Sequence, residues 1–215
     1  MKRSNIVNQE KRNFDHDASL WDEKPGRAKL AEDVFSALRR EITLTKNMDV
    51  LDYGCGTGLI TLKIQPFVNT VTGIDSSEGM LNVLNDKIRR QKLTNVSTRH
   101  LDIEAGEGLH DRFNLIVSSM TLHHIQQPEI LIKQLSENLH ASGYLCIADL
   151  DPDDGSFHGD NQGVFHSGFE RSHVKDIFEK AGFQHIRDIT AAKVIRDVEE
   201  GGSREFSVFL VSGQK

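Results

Sequence analysis

Nine residues, Val50 to Gly58, read VLDYGCGTG and combine an apolar run, a carboxylate and three glycines. Gly54, Gly56 and Gly58 remove side chains at alternate positions, so the chain can turn sharply and a ligand can reach main-chain amides. A dinucleotide site needs Gly-x-Gly-x-x-Gly, or alanine in the last place, which requires a small residue at position 59. That position is Leu59. The spacing is Gly-x-Gly-x-Gly, with Asp52 two residues ahead of the first glycine. A carboxylate there repels a pyrophosphate and attracts a ligand carrying an ammonium and a sulfonium. S-adenosylmethionine is such a ligand. A second group of residues able to do chemistry is a set of histidines: the pair His123 and His124, then His158 and His166 in a stretch rich in Asp and Gly. Histidine takes up a proton near neutral pH, so these four are the candidate catalytic bases; the alternative is that they close loops. Histidines beside aspartates also raise a metal reading. An EF-hand starting at Asp149 needs Gly sixth and Glu twelfth, where Asp154 and Asp160 stand with Pro152 inside, so no metal site is assigned.

The elements that must hold these groups alternate. GRAKLAEDVFSALRREI sets Leu30, Val34, Ala37, Leu38 and Ile42 at helical spacing, and MDVLDYG follows as a short apolar strand. A helix is expected from Thr57 to about Gln65, stopped by Pro66. NTVTGID reads as a second strand, SSEGMLNVLNDKIRRQKL as a Ser-capped helix, NVSTRHLD as a third strand and RFNLIVSSM as a fourth. The helix PEILIKQLSENLH, with Gly143 as its stop, leads to the strand YLCIADLD, and RSHVKDIFEKAG makes a last helix. FQHIRDITAAKVIRDV and REFSVFLVS, joined through Glu199, Glu200, Gly201 and Gly202, predict an antiparallel hairpin. Strands taking turns with helices predict a doubly wound, mostly parallel α/β sheet, with its ligand beyond the carboxyl ends of the strands.

Composition narrows the partners. The 215 residues, 37% hydrophobic, suit one domain with a real core, and the formal charge of −6 leaves no basic excess for a phosphate backbone, so nucleic acid is not expected. Cys55 and Cys146 have no spacing for a disulfide framework or zinc and read as small buried residues. The N-terminal stretch lacks an apolar signal core and no long apolar run occurs, so a cytoplasmic protein without a membrane partner is the expectation.

The ordered motifs resemble the class I S-adenosylmethionine-dependent methyltransferases over roughly Asp49 to Asp149, with the closing hairpin matching as well. VLDYGCGTG is similar to that family's first motif. The resemblance implies a seven-stranded Rossmann-like sheet and S-adenosylmethionine as cofactor. It implies further that Asp75, 23 residues beyond Asp52, accepts hydrogen bonds from the ribose. Ser76 and Met80 would then wall the adenine pocket, Asp102 would accept from the adenine amino group beside Ile103, and Ser118 and Ser119 would lie at the methyl-donor end. Family members that methylate nucleobase amines carry Asn or Asp, two prolines and an aromatic after the fourth strand, where this chain reads Ser118-Ser119-Met120-Thr121. The LHHI cluster resembles small-molecule members, including enzymes of quinone biosynthesis. The resemblance therefore implies a small-molecule acceptor. It divides the chain into an N-terminal helical lid segment over 1–45, carrying Phe14 and Trp21, and a methyltransferase domain over 46–215. The stretch from Asp151 to Gly168 reads as a substrate lid, because loops of that length are commonly functional. A dinucleotide oxidoreductase and a non-catalytic binding module stay as alternatives.

Overall fold

A computed structural model describes residues 12–103, 106–197 and 201–215. Seven strands form one sheet: β1 Asp49–Tyr53, β2 Thr70–Asp75, β3 Val96–His100, β4 Phe113–Ser119, β5 Leu139–Leu150, β6 Gln184–Asp197 and β7 Ser203–Gln214. Their order is β3-β2-β1-β4-β5-β7-β6, parallel except for β7, which runs antiparallel to both β5 and β6. The expected C-terminal hairpin is therefore present. Gly201 and Gly202 carry positive φ at its turn, while Glu199 and Glu200 lie outside the described residues.

Five helices cover the sheet: α1 Arg27–Glu41, α2 Thr61–Ile64, α3 Glu78–Gln91, α4 Pro128–Glu137 and α5 Arg171–Lys180. The central strands are apolar on both faces because both are covered. Val50, Leu115 and Cys146 pack with Val34 and Leu38 of α1, whereas their neighbours Leu51, Ile116 and Ile147 pack with Leu131 and Leu135 of α4 and Phe178 of α5. Successive strand residues thus serve opposite cores, which locks the register. Ser77 caps α3 by accepting from the Met80 amide at 3.1 Å, as the Ser-Ser-Glu sequence suggests.

Two local expectations are corrected. The helix expected from Thr57 is only Thr61–Ile64 followed by a 3-10 turn Gln65–Phe67, because the glycine loop stays irregular through residue 60 and Pro66 has no amide hydrogen to extend the ladder. Gly143 does not stop α4. That helix ends at Glu137 and the chain enters β5 at Leu139, with Asn138 donating its side-chain amide to the carbonyls of Leu109 and Asp111. Gly143 instead sits inside β5, where a Cβ would press on the carbonyls of His140 and Asn114.

Candidate active site

The site is built at the carboxyl ends of β1, β2 and β4. Beyond Tyr53 the chain is tied to β2 by Gly54 and Cys55 amides that donate to the Ile74 carbonyl at 2.9 and 3.0 Å. The amide of the next residue, Gly56, donates to Asp75 Oδ2 at 2.8 Å, and the Ser77 amide donates to Oδ1 of the same carboxylate at 2.9 Å. Asp75 therefore holds the glycine loop and the start of α3 together at the rim of the cavity.

The three glycines have different jobs. A side chain at Gly54 would run into Thr121. Gly56, at φ +54°, faces open space on the cavity side, so a Cβ there meets nothing in the protein. Gly58, at φ +82°, has the buried Leu84 of α3 against it; its missing side chain lets a helix approach, and it does not line the cavity.

Asp52 is 1% exposed and accepts from Thr61 Oγ1 at 2.5 Å. Burial pushes its carboxyl up to about 7, the Thr61 hydrogen bond opposes that, and the charge of Asp75 adds to the rise. It faces the inner part of a two-lobed cavity. The outer lobe, about 730 Å³, is lined by Tyr53, Asp75, Ser76, Met80 and Asp102. The inner lobe, about 940 Å³, takes in Asp52, Thr57, Ser119, Met120, His123, Phe157 and His158. Gly54, Gly56, Arg12, Phe14, Trp21 and His124 line both, so the two lobes meet at these residues.

The histidines separate. His123, in the 3-10 turn Leu122–His124, is 1% exposed and its Nδ1 lies 2.7 Å from Oδ1 of the fully buried Asp149. Burial alone would raise Asp149, but the charge and hydrogen bond of His123, with the Leu150 and His123 amides, hold its carboxyl below the usual range. Among the described residues Nε2 of His123 has no hydrogen-bond partner, and it is buried. His124 Nδ1 is 2.7 Å from the Gly163 carbonyl; burial and then the neighbouring His123 pull its pKa down to about 4. Burial and the two other imidazoles pull His158 down to about 3, and its Nε2 is likewise buried without a partner. The rings of His123 and His158 stand 4.9 Å apart. His166 is not brought to the cavity: Nε2 is 3.0 Å from the Ile125 carbonyl and the ring stacks on Phe169. Ser118 and Ile103 also stay outside the lining, Ser118 with a buried unpartnered hydroxyl and Ile103 in the apolar cluster of Tyr53 and Ile74. Among the described residues no group of three His, Cys, Asp or Glu is arranged to hold a metal ion.

Two segments away from the glycine loop contribute to the lining of the cavity. Asp15 accepts from Ser77 Oγ and the Gly79 amide, Asp22 accepts from Thr57 Oγ1, and Lys87 pairs with Asp22 at 2.5 Å. These contacts carry Phe14 over His124, their ring centroids 5.1 Å apart, with Trp21 edge-on to Phe14 at 5.7 Å. The stretch after β5 is pinned by the Phe165 amide donating to the His123 carbonyl at 2.9 Å and supplies Phe157 and His158 to the inner lobe. Sequence reasoning missed Asp149 as the partner of His123, and missed Arg12, Arg27 and Arg196 as lining residues. An acid closing the apolar run YLCIADLD was the available signal, since a carboxylate buried in a strand needs a donor.

A family model for a methyltransferase domain matches residues 44–191. An uncharacterized methyltransferase of Schizosaccharomyces pombe is 31% identical over 168 residues, covering 71% of this chain and 59% of that protein. A ubiquinone biosynthesis O-methyltransferase of Coxiella burnetii is 31% identical over 113 residues, covering 53% of this chain and 47% of that protein. The chain thus spans about half to three fifths of the length of these relatives. A SAM-dependent methyltransferase structure from Aquifex aeolicus superposes with a TM-score of 0.68 at 21% identity, covering 94% of this chain and 99% of the other, a likeness of fold. Because the matched region runs from before β1 into β6 and takes in the glycine loop, the chain belongs to the class I S-adenosylmethionine-dependent methyltransferases.

Proposed function

We propose that the protein transfers the methyl group of S-adenosylmethionine to a small-molecule acceptor by in-line displacement. The observation that carries this reading is the meeting of a glycine-rooted outer lobe with a histidine-lined inner lobe at Gly54 and Gly56. The relative named as a ubiquinone biosynthesis O-methyltransferase supports it. The residues fit the cofactor: open space over Gly56 accepts a ligand against backbone, and the Asp75 carboxylate stands at the rim. When bound, S-adenosylmethionine supplies an electrophilic methyl carbon beside a sulfonium. Asp75 binds the ribose, Ser76 and Met80 wall the base, Asp102 accepts from its amino group, and Asp52 with Ser119 faces the charged methionine end. His123, oriented by Asp149, takes a proton from the acceptor at Nε2, and His124 and His158, neutral at ordinary pH, shape the pocket around it. The 12–45 segment and the loop over 151–168 exclude water from the displacement, which mainly needs alignment. A cytoplasmic setting accords with two cysteines that are buried free thiols.

Thermal shift with S-adenosylmethionine, its demethylated product and a nicotinamide dinucleotide tests the cofactor, and a labelled-methyl screen over small acceptors tests transfer. Stabilisation by the dinucleotide alone would sink the reading. Asp75→Ala should weaken S-adenosylmethionine and its demethylated product alike, since both share the ribose. Losing a charge-assisted hydrogen bond costs on the order of 1.5–3 kcal/mol, or roughly tenfold to a hundredfold in affinity. Unchanged dissociation constants by calorimetry would remove Asp75 from the ribose.

Asp52 gives the site a pH dependence. Its carboxyl, raised to about 7, is mostly protonated at pH 5.5 and mostly ionised at pH 7.5, and only the ionised form attracts the cofactor's positive charges. S-adenosylmethionine affinity should therefore rise on the order of tenfold across that interval. The sign for stability is opposite. The native state binds the extra proton between the ordinary carboxyl range and about 7, so without ligand Asp52 destabilises the fold increasingly as pH rises through that window. In Asp52→Asn both trends should flatten; a persisting affinity slope would assign the titration elsewhere.

A further inference from the structure

The inner lobe carries guanidinium groups that have no anionic partner among the described residues. Arg27 at the start of α1 and Arg196 near the end of β6 both line it. Among the described residues neither has a carboxylate within ion-pair distance, whereas Arg12 is paired with Asp17 at 2.8 Å. Their donors are only partly used: Arg27 donates to the Trp21 carbonyl at 3.0 Å and Arg196 to the Phe157 carbonyl at 3.1 Å. Each is held by an aromatic ring, Arg27 with its guanidinium carbon 3.2 Å from the Trp21 centroid and Arg196 4.0 Å from that of Phe157. A guanidinium has five N–H donors in a fixed fork, and stacking orients the fork without satisfying it. Both are half-buried, and they repel: burial first, then the charge of Arg196, pulls Arg27 down to about 10, with Arg12 adding to the fall and the smaller influence of Asp17 and Asp22 opposing it. Two partly desolvated like charges are unfavourable until an anion lies between them.

The cofactor's own carboxylate is the competing claimant. Arg12 lines both lobes beside Gly54 and Gly56, while Arg27 and Arg196 line only the inner lobe with His123 and His158. We infer that the methyl acceptor is an anion, and that Arg27 and Arg196 bind its carboxylate or phosphate group while its nucleophilic atom faces His123. The inference rests on the methyl-transfer reading and names the acceptor class for that same site.

The test is calorimetric titration of the protein saturated with S-adenosylhomocysteine. Inorganic phosphate and benzoate are the probes, with potassium chloride at equal ionic strength as the reference. At least one probe should bind at millimolar or better, the two arms separating phosphate from carboxylate recognition. Arg27→Gln and Arg196→Gln should each weaken that probe at least tenfold and leave S-adenosylhomocysteine within about twofold, a balance that also shows the variants are folded. Arg196→Lys, which keeps the charge and loses the fork, should retain part of the affinity. Absence of binding by both probes, or unchanged probe binding in both Gln variants, overturns the proposal. So does a tenfold loss of S-adenosylhomocysteine in folded Gln variants, which hands the arginines to the cofactor. Failure of the wild type to bind S-adenosylhomocysteine overturns the methyl-transfer reading instead, and titrating the free protein with the same probes then decides the arginine site by itself.

Discussion

His123→Ala should lower the rate of methyl transfer about 10²–10⁴-fold while leaving S-adenosylhomocysteine affinity within a few fold. The expectation follows from which nitrogen is committed. Asp149, kept ionised by His123 and two backbone amides, can only accept, so the imidazole Nδ1 that stands 2.7 Å from it carries the hydrogen. The other nitrogen, Nε2, is buried and without a hydrogen-bond partner among the described residues, in a ring that belongs to the lining of the inner lobe. A base placed so acts on the acceptor and not on the ribose or adenine, hence the split between turnover and cofactor affinity. Asp149→Asn should also slow transfer, because an amide no longer fixes the proton on Nδ1. Added imidazole should restore part of the rate in His123→Ala and none in Asp149→Asn, where the ring is still present. The neighbouring rings do not confuse the experiment, since His124 and His158 titrate only near 4 and 3. Full turnover in both variants would make the pair structural and leave catalysis to alignment alone.

What could be read from the sequence is what depends on neighbours in the chain. The alternation of apolar strands with amphipathic helices, the Ser77 cap and the spacing from Asp52 to Asp75 are local patterns, and they placed the sheet and the outer lobe. The inner lobe is assembled from segments far apart. His123 meets Asp149 across 26 residues, and Arg196 reaches Phe157 across 39. No periodicity encodes such a meeting, and a histidine inside the cavity reads the same as His166, which satisfies the Ile125 carbonyl away from it. The helix end at Glu137 was missed for a related reason: Asn138 is bonded to the loop carbonyls of Leu109 and Asp111, a tertiary stop that Gly143 seemed to supply locally.

The glycine loop shows the same limit and yields the second large effect. Its three glycines look equivalent in sequence, and valine at Gly56 or Gly58 would be expected to do the same damage. The structure separates them. At Gly56 a side chain meets no protein atom and enters the cavity shared by both lobes, so Gly56→Val should leave the core packing intact and abolish measurable cofactor binding, a loss of at least about a hundredfold. Its φ of +54° adds backbone strain on the order of 1–3 kcal/mol, enough to lower the melting temperature modestly. At Gly58 the added carbons overlap the fully buried Leu84, and strain at φ +82° combines with overpacking that typically costs about 1–3 kcal/mol more. Gly58→Val should therefore be mainly a stability variant, its melting temperature lower by roughly 4–20 °C for a domain of this size. The decisive measurement is the double change with Leu84→Ala. In the Leu84→Ala background, itself destabilised by the cavity it leaves, Gly58→Val should cost less stability than it does in the wild type, whereas Gly56→Val should lose as much cofactor affinity as before, because only the first loss passes through Leu84. If Gly56→Val binds S-adenosylhomocysteine normally, or if Gly58→Val loses the cofactor at wild-type stability, the assignment of the two glycines is reversed and the ligand lies on the α3 side of the loop.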